Sequence, residues 1–425
     1  MVDQLKKIVA LCQKHPGTVL TIAWLLTRLT YMFTQPRGWI YQDWEYGEFA
    51  NRFLQTGALA WHYPWIPQPI PSAMVPPGLI FILVFLKKFL SQHYFVAWAL
   101  VQFVVAGGTW AFFWATCRQI LSPRALWLAG LLFIFDVNLY SPMRWVNETP
   151  FSMLFMMMFV FTLVEWDRQP SIRTASAIGA ILGLGGLFHS TFSGQIPVAL
   201  GWILWRSRFN GTGWRKGRFH GMALLIAWIV ILTPWTVRNF RTFHRFIPTD
   251  LHLGRGLWVG WNAQSCGSIY KLDGSPMDYE PDLVQRLEKL KTEPEIDAEL
   301  MRTAFDHALS NPRRWIKQRV FCFLFFWHEH TFWAPNSPFR TRKAFVLGLY
   351  NLFLIAVFFP CAIVAWRGGG PSLRLILVVI GLLCLLHTLT LADIGNRYRM
   401  PLEPLLVIVM GYSLARLLHP KAHRD

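Results

Sequence analysis

Residues 94–117 read YFVAWALVQFVVAGGTWAFFWATC, without a single acidic or basic side chain. An α-helix of about 20 apolar residues is long enough to cross the hydrocarbon core of a bilayer. That core contains no water, so the backbone N–H and C=O groups inside it must bond within their own segment. The stretch therefore predicts a transmembrane α-helix.

The composition of the whole chain extends this prediction. Of its 425 residues, 54% are hydrophobic and 15% are charged, whereas a soluble domain carries about 25% charged residues. We therefore expect an all-α, polytopic integral membrane protein. About ten transmembrane helices are predicted, at the apolar runs Gly17–Phe33, Tyr94–Cys117, Ala125–Tyr140, Phe151–Trp166, Ala175–Phe188, Gln195–Trp205, Gly221–Trp235, Ala344–Trp366, Leu373–Leu391 and Leu402–Leu418.

Two shorter apolar segments decide the topology. Gly78–Leu90 contains Lys87 and Lys88 and is too short to cross the bilayer comfortably. If it lies in the interface instead, the basic loops between the spans all fall on the cytoplasmic side, as the positive-inside rule requires. The same argument makes Val320–Trp327 an interfacial helix. We therefore expect a multi-pass protein of the plasma (bacterial inner) membrane, with both termini cytoplasmic and interfacial helices on the outer face.

This topology divides the chain into three parts. Residues 1–239 form a transmembrane module with a first outer loop at 34–90, residues 240–335 form an outer insert with its interfacial helix, and residues 336–425 form the C-terminal transmembrane helices. The net charge of +18 does not indicate nucleic-acid binding, because many basic residues lie in short loops where they set orientation. The expected partners include membrane lipids and exclude nucleic acid.

Acidic side chains in the outer loops are the first candidate functional residues. The hexapeptide Asp43-Trp44-Glu45-Tyr46-Gly47-Glu48 places three of them in the first outer loop, where a solvated first turn of a helix is the simpler interpretation. Glu148 lies where an outer turn meets the next span. It either caps that helix or marks a functional site, since a carboxylate at that depth is costly.

The outer face also carries more cations than the orientation rule favours. An anionic lipid headgroup or a lipid phosphate would suit them, and arginine gives bidentate contacts to such groups. Pairing with ordinary phospholipid headgroups is the alternative. The cations concerned are Arg37, Lys87, Lys88, Arg144, Arg238, Arg241, Arg245, Arg313, Arg314, Lys317, Arg319, Arg397 and Arg399.

Several outer segments, in this order, carry a resemblance to a known family. They are Asp43–Ala50 with Leu54–Gly57, Ile70–Leu79, Arg144–Glu148, Pro234–Phe240 with Arg245–Pro248, Gly260–Asn262 and Arg397–Pro404. Together they resemble the loop motifs of GT-C membrane glycosyltransferases. The group they are most similar to is the bacterial dolichyl-phosphate-mannose–protein mannosyltransferase-like group, which includes the aminoarabinose transferases.

This resemblance implies a GT-C fold and an inverting glycosyltransferase. Such an enzyme moves a sugar from a polyprenyl-phosphate donor to an acceptor at the outer face, and an outer-loop carboxylate takes the acceptor proton. The acceptor stays open between a protein, a lipid and a glycan. No cofactor is certain, and a divalent metal ion, Mg²⁺ or Mn²⁺, stays open.

The resemblance also suggests roles for individual residues. The base is Asp43 or Glu45, with Asp43 favoured, and Glu148 is a further catalytic carboxylate. His189 stands where many members of the family have arginine, which removes one contact to phosphate. The residues implied to bind substrate or lipid phosphate are Arg144, Arg238, Asn262, Arg397, Tyr398 and Arg399.

A transporter or flippase of a lipid-linked saccharide is the alternative function. It would use the same cations and a similar lipid groove. Transporters of this kind usually show inverted repeats and broken helices in mid-membrane. Neither is evident in the sequence, and this favours the enzyme.

Overall fold

The computed structural model describes residues 15–34, 43–140, 146–265, 267, 271, 275, 277–328, 342–390 and 397–418. Helices dominate, and each of the ten apolar runs coincides with one. In chain order the α-helices are α1 (Pro16–Thr34), α2 (Trp44–Thr56), α3 (Pro77–Leu90), α4 (Tyr94–Ile120), α5 (Pro123–Phe135), α6 (Thr149–Arg168), α7 (Ile172–Gly186), α8 (Ile196–Arg206), α9 (Trp214–Phe243), α10 (Leu253–Trp261), α11 (Pro281–Leu287), α12 (Glu293–Ser310), α13 (Pro312–Trp327), α14 (Arg342–Gly368), α15 (Pro371–Leu389) and α16 (Glu403–Leu418).

Shorter elements connect some of these helices. A two-residue antiparallel ladder joins β1 (Ala60–Trp61) to β2 (Ile70–Pro71) between α2 and α3. The 3-10 turns are Ser91–His93, Val137–Leu139, Ser190–Gln195 and Met400–Leu402.

Proline and hydroxyl side chains begin several of the membrane helices. Ser122 caps α5, accepting a hydrogen bond from the Ala125 N–H, and a proline follows in the first turn. Ser171 caps α7 in the same way. Such caps satisfy backbone N–H groups that have no partner within the helix, and proline fits there because its missing N–H is not needed.

Within the described residues, six helical segments are long and apolar enough to cross a membrane. They are Pro77–Ile120, Thr149–Arg168, Trp214–Phe243, Phe345–Gly368, Pro371–Leu389 and Met400–Leu418. Helices α5 and α7 are apolar but shorter. The class of polytopic integral membrane protein is confirmed, whereas the expected number of ten crossings stays a prediction.

Small residues allow the membrane helices to approach closely. A Cβ atom on Gly179 of α7 would lie 2.0 Å from the Leu224 carbonyl oxygen of α9, and one on Gly411 of α16 would lie 2.6 Å from the Cβ atom of Ala129 in α5. Glycine at such positions lets two backbones pack directly against each other. The close approach of α16 to α5 brings the C-terminal helices into the same hydrophobic core as the N-terminal ones.

Helices α2 and α3 lie side by side and antiparallel. Phe53 packs edge-on against Phe81, and at the other end Lys87 contacts Asp43.

The N–H of Gly78 donates to the carbonyl oxygen of Leu187, just beyond the end of α7. The other end of α3 leads into α4, where Trp98 packs against Phe151 at the start of α6, and Phe151 stacks on Phe188 just after α7. Both ends of α3 therefore lie at one end of the bundle, which we call the site end.

Candidate functional site

Glu148 lies at the centre of one group of polar side chains at the site end. It immediately precedes α6 and is 1% exposed. The Tyr46 hydroxyl of α2 donates to its Oε2 atom at 2.8 Å, and Arg397 pairs with its Oε1 atom at 3.1 Å. These contacts join α2, the start of α6 and the segment before α16. We call Tyr46, Glu148, His189 and Arg397 the Glu148 cluster.

The electrostatics of the Glu148 cluster favour a carboxylate beside a neutral imidazole. Burial alone would raise the pKa of Glu148, but the charge of Arg397 and the hydrogen bond from Tyr46 bring that pKa below its ordinary value. Burial lowers the pKa of His189, and Arg397 lowers it further. The His189 Nδ1 atom lies 2.7 Å from the Thr191 hydroxyl oxygen. Glu148 is therefore held as an anion that Arg397 neutralises.

Asp43 belongs to a second group of polar side chains. It lies at the start of α2, about one helical turn before Tyr46. It is the N-cap residue of α2, and its carboxylate forms an ion pair with Lys87 of α3. The Tyr94 hydroxyl donates to the same carboxylate at 2.9 Å, and the Lys87 ammonium also donates to Asn51 at 2.8 Å. We call Asp43, Asn51, Lys87 and Tyr94 the Asp43 cluster. It brings an acid and a cation together at the site end.

A glycine permits this placement of Asp43. A Cβ atom on Gly47 would lie 2.0 Å from the carboxyl carbon of Asp43. The Asp43 carboxylate therefore occupies space that any other side chain at position 47 would fill. The other acids of the hexapeptide are placed differently, because Glu48 pairs with Arg52 at 2.7 Å and Glu45 is half-buried.

The Glu148 cluster borders a small pocket. The open space at its centre is about 10 Å³, which is close to the size of a single water molecule. Tyr398 lines the pocket and stacks on His387 with ring centroids 4.4 Å apart. Thr149 and Ser152, on the first turn of α6, also line the pocket.

Three further residues implied by the resemblance lie in other surroundings. Arg238 donates to the carbonyl oxygens of Ser72 at 2.9 Å and Leu59 at 3.3 Å, which ties α9 to the first outer loop. The Asn262 amide donates to Glu280 at 2.7 Å within the insert. Arg399 is fully buried and pairs with Glu403 at 2.7 Å.

These contacts engage all three side chains with protein groups. Their expected role in lipid-phosphate binding stays a prediction. Arg144 lies outside the described residues.

Several functional candidates were not found by sequence reasoning. Tyr46 and Tyr94 are uncharged, so the charge pattern of the sequence does not single them out. Lys87 is predicted only as one of many outer cations. Its position next to Asp43 depends on the antiparallel packing of α2 and α3, which no local pattern specifies. The signal that could have indicated it is a lysine on a short apolar helix, where a cation needs a nearby partner.

Glu293 is another residue that the sequence did not single out. It accepts hydrogen bonds from the Tyr63 hydroxyl at 2.8 Å, the Ser72 hydroxyl at 2.5 Å and the Ala73 N–H at 2.5 Å. Burial raises the pKa of Glu293 to about 7. It thus fastens α12 of the insert to the first outer loop, next to the site end.

Comparison with known proteins gives a match at the level of structure. No protein-family model matches the chain, and no curated protein sequence matches it. The apo form of the Archaeoglobus fulgidus oligosaccharyltransferase matches with a TM-score of 0.55 at 12% identity, over 96% of this chain and 51% of that one. The complex of the same enzyme with Zn and sulfate gives 0.54 at 13% identity, over 95% and 49%. ArnT from Cupriavidus metallidurans bound to undecaprenyl phosphate gives 0.39 at 14% identity, over 96% and 77%.

The two oligosaccharyltransferase structures establish the fold. This chain has the GT-C fold, as the sequence resemblance implied. It spans about half the length of the archaeal enzyme that it matches.

The residues at the site end do not assemble a metal centre in the part of the chain that the structure describes. No group of three or more His, Cys, Asp or Glu side chains there could hold an ion. Glu148 already pairs with Arg397, and Asp43 with Lys87. A divalent ion requires several unengaged oxygen or nitrogen ligands. The described residues therefore do not fit such an ion.

Proposed function

We propose that this protein is an inverting glycosyltransferase that moves a sugar from a polyprenyl-phosphate donor to an acceptor at the outer face of the membrane. The observation that carries the proposal is the convergence of the Asp43 cluster and the Glu148 cluster at the site end of a GT-C bundle. Each cluster pairs a carboxylate with a cation. Transfer from a lipid phosphate requires both kinds of group at the membrane boundary.

The chemistry is a single displacement. The acceptor oxygen forms a bond to the anomeric carbon from the face opposite the phosphate, and its proton passes to a carboxylate. The bond between the anomeric carbon and the phosphate oxygen breaks, and polyprenyl phosphate leaves with the electron pair. A general base must lie within hydrogen-bond reach of the acceptor, and cations stabilise the charge that develops on the phosphate.

The geometry suggests how this chain divides these tasks. Asp43 is the favoured base, with Glu45 as the alternative one position inside α2. Lys87 pairs directly with Asp43, so it lies on the acceptor side of the displacement and positions the base. We assign the leaving phosphate to Arg397, which also holds Glu148 in place. Tyr398 lines the small pocket beside Glu148.

The orientation of this site is part of the proposal. The positive-inside rule places the basic loops in the cytoplasm and therefore the site end outside. The class of acceptor is an outcome of the assay. The sulfate and Zn named for the archaeal oligosaccharyltransferase complex show what that enzyme holds; the present proposal needs neither.

The test uses membranes that contain the protein and a labelled polyprenyl-phosphate sugar. We expect Asp43→Asn to reduce transfer to acceptor by about 100-fold or more, the range of a lost general base. Glu45→Gln is assayed beside it, alone and in the double variant. Glu48→Gln is the matched control, because Glu48 lies on the same helix but pairs with Arg52.

Two outcomes would contradict the proposal. Full transfer in both single variants and the double variant would remove the base from α2. Movement of the labelled lipid across the membrane, without formation of any new glycosidic bond, would make the protein a flippase.

A further inference from the structure

The first turn of α6 presents two hydroxyl groups to the pocket beside Glu148. Thr149 and Ser152 are each 2% exposed and lie three residues apart, so both side chains face the same side of the helix. Neither hydroxyl has a hydrogen-bond partner among the residues that the structure describes. Both are therefore buried polar groups directed at the same small space.

Hydroxyl groups elsewhere in the membrane helices behave differently. Thr109, Thr116 and Thr162 each donate to the backbone carbonyl oxygen four residues earlier. This bond is the usual way in which serine and threonine are satisfied within a helix. Ser152 could make it to the Glu148 carbonyl oxygen but does not in this structure. The hydroxyls at the pocket are thus left available for a ligand.

The size and the walls of the pocket restrict the ligand group. The open space of about 10 Å³ holds one oxygen atom with its hydrogen and excludes a whole sugar ring. Tyr398 and His387 also line the pocket, and their rings stack on each other with centroids 4.4 Å apart, so they close the space instead of widening it. The pocket is therefore a polar recess of hydroxyl size.

We propose that this recess binds one hydroxyl group of the transferred sugar, with Ser152 and Thr149 as the residues that distinguish a hydroxylated sugar carbon from a deoxygenated one. The inference rests on the proposed function and names a specificity determinant for it. A sugar hydroxyl both donates and accepts a hydrogen bond, so it can satisfy Ser152 and Thr149 together. A site with buried polar groups rejects the analogue that leaves them unpaired.

The test measures selectivity as well as rate. Polyprenyl-phosphate hexoses and their 2-, 3-, 4- and 6-deoxy analogues are supplied to membranes containing the wild-type chain, Ser152→Ala, Thr149→Val or Thr162→Val. We expect the wild type to disfavour one deoxy analogue by about tenfold or more in kcat/KM, and the others much less. Ser152→Ala should reduce that discrimination toward unity. That variant has already lost the hydrogen bond to the sugar hydroxyl, so removing the hydroxyl from the substrate should cost it little more.

The control separates this effect from a change in packing. Thr162→Val removes a hydroxyl from the same helix away from the pocket, and it should leave the discrimination unchanged. If wild type transfers the hexose but treats every deoxy analogue alike, the hydroxyl recess is refuted while the glycosyltransferase proposal stands. The same holds if Ser152→Ala slows all analogues by one common factor. If wild type transfers no member of the panel, and none of them raises its melting temperature in detergent, both proposals are overturned.

Discussion

Glu293 shows how one buried residue makes the outer insert sensitive to pH. Its carboxyl accepts hydrogen bonds from Tyr63, Ser72 and Ala73, and burial raises its pKa from an ordinary 4.5 to about 7. A group whose folded-state pKa is raised contributes its stability fully below the unfolded pKa and loses it as the pH rises through the folded pKa. The difference corresponds to about 3 kcal/mol at 1.36 kcal/mol for each pKa unit.

We therefore expect the wild type to lose stability relative to Glu293→Gln between about pH 5 and pH 8. The glutamine side chain stays neutral at every pH and can still accept hydrogen bonds through its carbonyl oxygen. The stability of the variant should therefore not fall over this pH range for this reason. The measurement is the melting temperature of both proteins in detergent across that range. Titrating groups that do not interact with Glu293 are common to both proteins and cancel in the difference, whereas Asp250, whose pKa the Glu293 charge raises, adds to the difference in the same direction. Exposed Glu288→Gln is the control, and a wild-type slope matched by Glu293→Gln would refute the assignment.

Charged residues in unusual places could be identified from the sequence, but their partners could not. Glu148 is singled out because a carboxylate at that depth in the membrane is costly, whereas Asp43 is chosen through the family resemblance of its hexapeptide. Arg397 and Arg399 flank Tyr398 and look equivalent in sequence. In the structure Arg397 reaches Glu148, whereas Arg399 turns into the core toward Glu403. Only the packing of α6, α14 and α16 around that turn separates a site residue from an anchoring one.

The positions of the helices along the chain follow from hydropathy. The contacts between the helices do not. The ten apolar runs each became a helix, because a span must satisfy its own backbone. The short length of α3 and its two lysines distinguish it in the sequence from the predicted membrane-spanning helices. Its antiparallel packing on α2 depends on long-range pairs such as Phe53 with Phe81. The same holds for the β1–β2 ladder and for the fastening of α12, which join segments far apart in sequence.

This packing of α3 gives a prediction of topology. Because α3 returns to the end of the bundle at which it begins, residues before and after it should lie on the same side of the membrane. We expect Gln55→Cys, at the end of α2, and Gln92→Cys, beyond α3, to react with a membrane-impermeant maleimide added from outside. Both positions are exposed. The variants are made in a chain whose own cysteines have been replaced.

Gln169→Cys provides the reference for the other side. It follows α6, which starts at the site end and is long enough to cross. We expect it to be labelled only after the membrane is permeabilised. Labelling of Gln55→Cys and Gln92→Cys from opposite sides would mean that α3 crosses the bilayer, and the proposed topology would then be wrong.

For the whole molecule, the part before residue 240 and the part after residue 335 share one hydrophobic core. Helix α16 packs directly on α5, and one hydrophobic cluster contains residues of both the N-terminal and C-terminal parts. Polar contacts reinforce this union. Asn138, just after α5, donates to Asn351 of α14 and to Glu403, each at 3.0 Å, and Glu403 is itself paired with Arg399. The C-terminal helices therefore complete the bundle on which the site is built.

The Arg399–Glu403 pair is the element of this union that can be tested most directly. Both side chains are fully buried, and removing one partner of a buried pair leaves an uncompensated charge that costs about 3–5 kcal/mol. We expect Arg399→Met to lower the free energy of unfolding by that amount, as measured by SDS titration in mixed micelles. Adding Glu403→Leu should restore most of the loss, because the double variant leaves neither charge buried. Arg52→Met breaks an exposed pair with Glu48 and should cost less than about 1 kcal/mol. A double variant no more stable than Arg399→Met would show that the two side chains act independently and would refute the pairing.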